Sequence, residues 1–365
     1  MPLRPPPHLA PLVPYQPGKP IEEVERELGI AGSVKLASNE NPLGPSPLAL
    51  AAAREAMAEA HRYPDDGGFA LRQKLARRYG VPADGIVVGA GSSELIRMAV
   101  QAFAGPGDEV LMAAPSFVVY KLAAIVSAAR PVEVPCRDMA HDLDAMLAAV
   151  TPRTRVVFVC TPNNPTGTVV TEPAFGRFVE RLPGDVLLVI DEAYVEYVDR
   201  ADVPDGIEYL KAARPGWPPI LVLRTFSKIY GLAGLRVGFG ASTPQVAADL
   251  SRVRPPFNVS RPALAAAEAA LDDREHVAVT RETTIEGRAY LTEALSRLGL
   301  EVVPSQANFV LVRVPMKGTA VYQGLLETGV ILRPVENYGL PDHLRITVGT
   351  RAENQRCVAA LEARR

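Results

Sequence analysis

Lys228 and Arg236 stand eight residues apart in RTFSKIYGLAGLRVGFG (224–240), a stretch otherwise built mostly of small and apolar residues. A lysine amine is strongly hydrated and avoids burial unless something pairs with it or uses it. Because ILVLR just before it reads as a buried strand, Lys228 either escapes to solvent or has chemistry to do.

Three other stretches place reactive groups at the ends of apolar runs. TPNNPTG (161–167) follows RVVFVC and brings Asn164 to the C-terminal end of a strand, where open α/β sheets hold ligands. An ordinary Asn-Pro turn explains the same letters. VLLVIDEAYVEY sets Asp191 and Glu192 at the end of a second strand, as ligand groups or as a helix cap, and Tyr194 three residues after Asp191 can share its ligand. VGAGSSEL (88–95) is a glycine turn leading from a strand into a helix, a shape that offers backbone N–H groups to an anion. A dinucleotide fingerprint would need Gly or Ala where Glu94 stands, followed by a ribose-binding acid, and the sequence supplies neither.

The elements that must hold these groups follow from hydrophobic pattern. IEEVERELG and LALAAAREAMAEAHR read as helices, with the turn-rich SNENPLGPS between them. From about residue 68, helical segments alternate with the β-rich runs GIVVG, EVLMAA, PVEV, RVVFVC, VLLVID, ILVLR and RVGFG. That alternation predicts an α/β fold with a mostly parallel sheet covered by helices. Past residue 243, alanine-rich helices run to about 299, and EVVP, NFVLVRV, GVILR and HLRITVG follow as strands of a smaller α+β unit. The expected division is an N-terminal arm and small-domain segment (1–45), a large domain (46–270) and a small C-terminal domain (271–365).

Composition bounds the function. The 365 residues carry 39 Lys plus Arg against 41 Asp plus Glu, so the net charge of -2 offers no polycationic face to nucleic acid or to an anionic membrane. A small-molecule partner is expected. Cys136, Cys160 and Cys357 form no CxxC pair, which argues against a disulfide framework, a thiol redox motif and a zinc ribbon and suits a reducing cytoplasm. His8, His61, His141, His276 and His343 show no paired metal spacing, so all are read as structural or solvent-facing. No run approaches the ~18 apolar residues of a membrane span, and the first 20 residues hold eight prolines and no apolar signal core, which predicts an extended arm.

Taken in order, glycine turn, Asn-Pro turn, Asp-x-x-Tyr and Ser-Lys with Arg eight later, the chain resembles the fold-type-I aminotransferases that use pyridoxal 5′-phosphate. Within that family it is most similar to members acting on histidinol phosphate. The likeness runs from PYQPGKP and SNENPLGPS through RYPDD, PNNPTG, DEAYVEY and TFSKIYGLAGLRVGF to LRITVGT.

The resemblance implies a large domain with a seven-stranded, mostly parallel sheet, a smaller α+β domain and transamination of L-histidinol phosphate with 2-oxoglutarate. It implies that the Lys228 amine condenses with the cofactor carbonyl and shuttles protons, a role that needs an amine able to be neutral near pH 7. Asp191 would pair with the pyridine nitrogen, Asn164 and Tyr194 with the phenolic oxygen, and Phe117 would stack on the ring. Ser92, Ser93, Thr225, Ser227 and Arg236 would hold the phosphate. Tyr63 would reach the cofactor phosphate of a neighbouring subunit in a homodimer. Arg345 would grip the substrate α-carboxylate, with Arg333 and Tyr15 near a distal phosphate and Asn164 also facing substrate.

Phe257 stands where some relatives have a tyrosine, which keeps transamination of an aromatic amino acid open as a second reading. A phosphothreonine-type decarboxylase on the same scaffold and a PLP-holding regulatory module stand further off.

Overall fold

The computed structural model describes residues 3–10, 12–13 and 18–364. Short runs of Val, Ile and Leu, too short for core helices and flanked by turn residues, become the strands of a seven-stranded sheet. Its order is Ile86–Gly89, Gly238–Ala241, Ile220–Thr225, Leu187–Asp191, Thr154–Cys160, Glu109–Ala114 and Arg130–Pro135. Only Gly238–Ala241 runs against its neighbours, and the remaining contacts are parallel. Leu187–Asp191 and Ile220–Thr225 are buried along their whole length, and Thr154–Cys160 is buried at every position but Arg155. A parallel strand covered by helices on both faces has no solvent side, which is why these segments read as continuous apolar runs and not as alternating ones.

One large apolar cluster fills the face under Phe175, Phe178, Phe226 and Phe239, and a second packs the other face around Leu95, Val100, Tyr120 and Phe158. The helix Ser92–Phe103 belongs to the second and begins directly after the first strand of the sheet.

A four-stranded antiparallel sheet is built from Arg333–Pro334, His343–Thr347, Phe309–Arg313 and Glu301–Val303, packed by the helices Arg274–Arg297 and Arg351–Glu362. Its apolar cluster includes Leu36 from the N-terminal segment. Val34–Lys35 pairs in parallel with Val330–Ile331, so residues near the start of the chain are stitched to residues near its end.

Three local expectations change. GVILR is not one strand: Val330–Ile331 pairs with Val34–Lys35, and Arg333–Pro334 turns to pair with His343–Thr347, because two different edges need partners. The helix expected over 48–62 ends at Ala56 and closes in a 3-10 turn at Met57–Glu59. In the proline-rich arm, Pro7–Leu9 forms a 3-10 turn, which proline's fixed φ admits at its start. Among the described residues no helix is long and apolar enough to cross a membrane.

Candidate active site

Three inner strands deliver chemistry to one edge of the sheet. Thr154–Cys160 runs into the turn with Asn164, Leu187–Asp191 ends on its acid, and Ile220–Thr225 leads into Ser227 and Lys228. Ser92 and Ser93 open the helix beside them, and Arg345 arrives from the strand His343–Thr347. Together they line a cavity of about 170 Å³ that also takes in Phe117, Tyr194, Thr225 and Arg236.

At one end, Gly91 caps the helix Ser92–Phe103 with φ +77°, and a Cβ there would lie 2.5 Å from Arg236 Nη2. Only glycine tolerates both the conformation and that approach. Arg236 itself adopts the left-handed region, φ 55°, rare for a side chain of this size and characteristic of functional strain. Its Nη1 donates to Ser227 Oγ at 3.2 Å and to the Ala233 carbonyl at 3.0 Å. The guanidinium, the first N–H groups of the helix and the Ser227 and Thr225 hydroxyls thus converge as an anion cup.

On the floor, Asp191 is 2% exposed. Its Oδ2 accepts from the Tyr120 hydroxyl at 2.6 Å and its Oδ1 from the Ala193 N–H at 3.1 Å. Burial raises its pKa, while those two bonds and the positive charge of Lys228 act the other way. Lys228 Nζ donates to the Ser38 carbonyl at 3.2 Å and sits 5.7 Å from the centre of the Tyr194 ring. Burial first, then the charge of Arg345, lowers its pKa from 10.5 to about 7. That leaves a large neutral fraction at physiological pH, as a nucleophilic amine requires.

Tyr194 accepts from Asn39 Nδ2 at 2.9 Å, leaving its own proton free to be donated into the cavity. Asn164 Oδ1 accepts from Arg345 Nη1 at 2.5 Å, which points the amide NH₂ the other way. Arg345 Nη2 donates to the Ala37 carbonyl at 2.7 Å, and its Nε is buried without a partner. Phe117 stands edge-on to Tyr120, 5.7 Å between ring centres.

Among the described residues, Asp191, Lys228, Arg236 and Arg345 each lack an oppositely charged group within 4.0 Å. For Asp191, Lys228 and Arg345, which are buried or half-buried, an unpaired charge is costly, while Arg236 is exposed. This set therefore fits a ligand that brings an anion to Arg236, a cationic ring atom to Asp191 and a second anion to Arg345. Pyridoxal 5′-phosphate with an anionic substrate satisfies all three.

Eleven of the residues singled out from sequence line this cavity: Ser92, Ser93, Phe117, Asn164, Asp191, Tyr194, Thr225, Ser227, Lys228, Arg236 and Arg345. Arg333 does not line it, although it is the Cα partner of Arg345 on the adjacent antiparallel strand. Tyr63 is 77% exposed and stacks on Phe257, 43% exposed, at 4.5 Å, so it serves no part of its own cavity. Tyr15 lies outside the described residues. Sequence reasoning overlooked Tyr120, Asn39, Ser38 and Tyr338. Tyr120 was within reach, since it falls three residues after Phe117, at the start of the helix Val119–Val126.

Glu192 faces away from the cavity. It accepts from Arg224 Nε at 2.9 Å and from the Gly206 N–H at 2.6 Å, a fully buried tie between neighbouring strand ends. Among the histidines, His141 is buried, which lowers its pKa to about 4, and His343 pairs with Asp342 at 2.7 Å. The three cysteines are free, Cys160 and Cys357 being buried. Among the described residues no group of three or more His, Cys, Asp or Glu is placed to hold a metal ion.

Residues 31–361 match the family described as aminotransferase class I and II. The chain is 53% identical over 358 residues to the histidinol-phosphate aminotransferase of Anaeromyxobacter sp. (strain Fw109-5), covering 98% of this chain and 97% of that one. It is 48% identical over 348 residues to the corresponding protein of Moorella thermoacetica, covering 95% and 89%. Among solved structures it resembles the histidinol-phosphate aminotransferase of Sinorhizobium meliloti in complex with pyridoxal-5′-phosphate, with TM-score 0.87, 30% identity and coverage of 98% and 96%.

Proposed function

The chain belongs to the class I and II aminotransferases, and on that premise we propose that it moves the amino group of L-histidinol phosphate to 2-oxoglutarate, with pyridoxal 5′-phosphate as cofactor, giving 3-(imidazol-4-yl)-2-oxopropyl phosphate and L-glutamate. The observation that carries this reading is one cavity lined by Arg236, Arg345, Asp191 and Lys228, none of which has an oppositely charged group within 4.0 Å among the described residues.

When bound, the cofactor supplies a protonated pyridine ring that accepts the electron pair left as the substrate Cα–H bond breaks. Asp191 holds the proton on that ring nitrogen. Asn164 Nδ2 and the Tyr194 hydroxyl would donate to the phenolic oxygen, and Phe117 would pack on the ring. Arg236, the N–H groups of Ser92 and Ser93 and the hydroxyls of Thr225 and Ser227 hold the phosphate. Lys228 Nζ, neutral in large part near pH 7, would hold the cofactor carbonyl and would serve as the base for the substrate Cα proton.

L-Histidinol phosphate has no carboxylate, and a CH2–O–phosphate arm takes the place on Cα that the α-carboxylate has in glutamate. Arg345 therefore serves two anions in turn, the donor's phosphate in one half-reaction and the C1 carboxylate of 2-oxoglutarate in the other. A dianionic phosphate calls for a second cation, and Arg333, directly opposite Arg345 across the strand pair, suits that demand. This extends the expectation that Arg345 holds a carboxylate alone.

The functional unit is proposed to be a dimer in which Tyr63 reaches the neighbouring subunit's cofactor phosphate. Its exposure, its stack on Phe257 and its distance from its own cavity support that role.

An absorbance spectrum of the pyridoxal 5′-phosphate-loaded protein, recorded before and after histidinol phosphate, tests the reading, with Lys228→Ala as control. Conversion of the pyridoxal band to the pyridoxamine form, with parallel double-reciprocal lines in steady-state kinetics, is the expected result. A band discharged by phenylalanine and indifferent to histidinol phosphate would move the substrate to aromatic amino acids. Failure to bind the cofactor would sink the reading.

A further inference from the structure

Asp191 is held by a tyrosine that does not itself line the cavity. The Tyr120 hydroxyl donates to Asp191 Oδ2 at 2.6 Å, and both side chains are buried. Tyr120 sits in the helix Val119–Val126 and is not among the residues that line the cavity. Its ring is clamped, stacked on Phe158 at 4.3 Å with an 11° interplanar angle and meeting Phe117 edge-on. The clamped ring holds the phenol oxygen in place, so the bond to Asp191 Oδ2 anchors the carboxylate to a fixed point.

The second oxygen, Oδ1, is tied only to the Ala193 N–H at 3.1 Å. Without the phenol, a buried carboxylate with no cation within 4.0 Å among the described residues, paired across the sheet with Cys160, would rest on one backbone donor. Burial would then favour its protonated form, which cannot accept a proton from a ring nitrogen. The same ring that donates to Asp191 also braces Phe117, so one side chain sets two surfaces of the ring site.

Building on the functional reading above, we infer that Tyr120 is a positioning residue of this site: its hydroxyl fixes the Asp191 carboxylate in the orientation that receives the N–H of the cofactor's ring nitrogen.

The test is cofactor affinity, without turnover. Tyr120→Phe deletes the hydroxyl and keeps the ring that packs on Phe158 and Phe117. Dissociation constants are measured by equilibrium dialysis for pyridoxal 5′-phosphate and for its 1-deaza analogue, in which C–H replaces the ring nitrogen. Tyr120→Phe is expected to bind the natural cofactor about tenfold more weakly than the parent chain, as loss of a hydrogen bond to a charged group implies, and to bind the analogue within about twofold of it, because the analogue offers Asp191 nothing to accept. Taking the ratio of the two constants within each protein cancels any general loosening of the fold. A ratio equal to that of the parent chain overturns the inference, whether both affinities fall together or neither falls. Absence of pyridoxal 5′-phosphate binding by the parent chain overturns the functional reading instead, and the two failures are distinct.

Discussion

Arg345 Nη1 donates to Asn164 Oδ1 at 2.5 Å across a sequence separation of 181 residues. The bond joins the turn after Thr154–Cys160 in the large sheet to the strand His343–Thr347 in the small one. It also sets the Asn164 amide so that its donor faces the cavity. A group proposed to hold cofactor and a group proposed to hold substrate therefore act as one unit.

Coupling between them is the first expectation. Asn164→Ala and Arg345→Lys should each lower kcat/KM for histidinol phosphate by about 10- to 100-fold, as loss of a charge-assisted hydrogen bond implies. The double variant should lose less than the product of the two. Multiplicative losses in steady-state kinetics would show the two side chains to be independent.

Lys228 predicts a stability profile in the cofactor-free protein. Its folded-state pKa of about 7 lies below the ordinary 10.5, so between those values the unfolded chain binds a proton that the folded chain does not. Stability attributable to this residue should therefore rise with pH from about 7 toward 10, and the penalty should be complete below 7. Urea unfolding at pH 7, 8.5 and 10 should show Lys228→Met most stabilised relative to the parent at pH 7, with the gap closing as pH rises. A gap independent of pH would refute it.

The buried pair of Glu192 and Arg224 should matter for folding more than for chemistry. Glu192→Ala takes from Arg224, which is 5% exposed, its fully buried partner and leaves it the half-exposed Asp205 at 2.9 Å, and should cost about 3 kcal/mol. Glu192→Leu with Arg224→Leu should cost less than either change alone, measured by denaturant midpoint. Equal or greater loss in the double variant would count against an uncompensated-charge origin.

Tyr63 offers a test of assembly. Tyr63→Ala should keep its thermal stability within about 0.5 kcal/mol, as exposed positions usually do, while activity falls. Mixed with Lys228→Ala and allowed to exchange subunits, it should regain activity above either parent, since a hybrid dimer holds one site with both residues intact. No recovery, or a sedimentation profile of monomers, would rule out the shared site.

Much of the site was legible because its signals are local. Ser92 and Ser93 follow a glycine turn, Asp191 ends an apolar run, and Lys228 and Arg236 keep a fixed spacing, and each pattern reflects geometry that a strand end or helix start imposes within a few residues. The seven runs of the large sheet were readable for the same reason, since a doubly covered strand must be apolar throughout. What stayed hidden was pairing. Glu192 stood next to Asp191 with the same apparent claim on a ligand, and only strand alternation within the folded sheet turns one carboxylate into the cavity and the other toward Arg224.

The sequence by itself determined that this chain builds a helix-covered sheet whose strand ends carry an amine, an acid and an anion cup, because secondary structure and its end chemistry depend on near neighbours. The tertiary structure alone decided that Tyr120 braces Asp191, that Asn39 meets Tyr194 and that Arg345 reaches Asn164. Those contacts join residues 71, 155 and 181 positions apart. No periodicity encodes such distances, and only the packing of two sheets against one cavity brings them together.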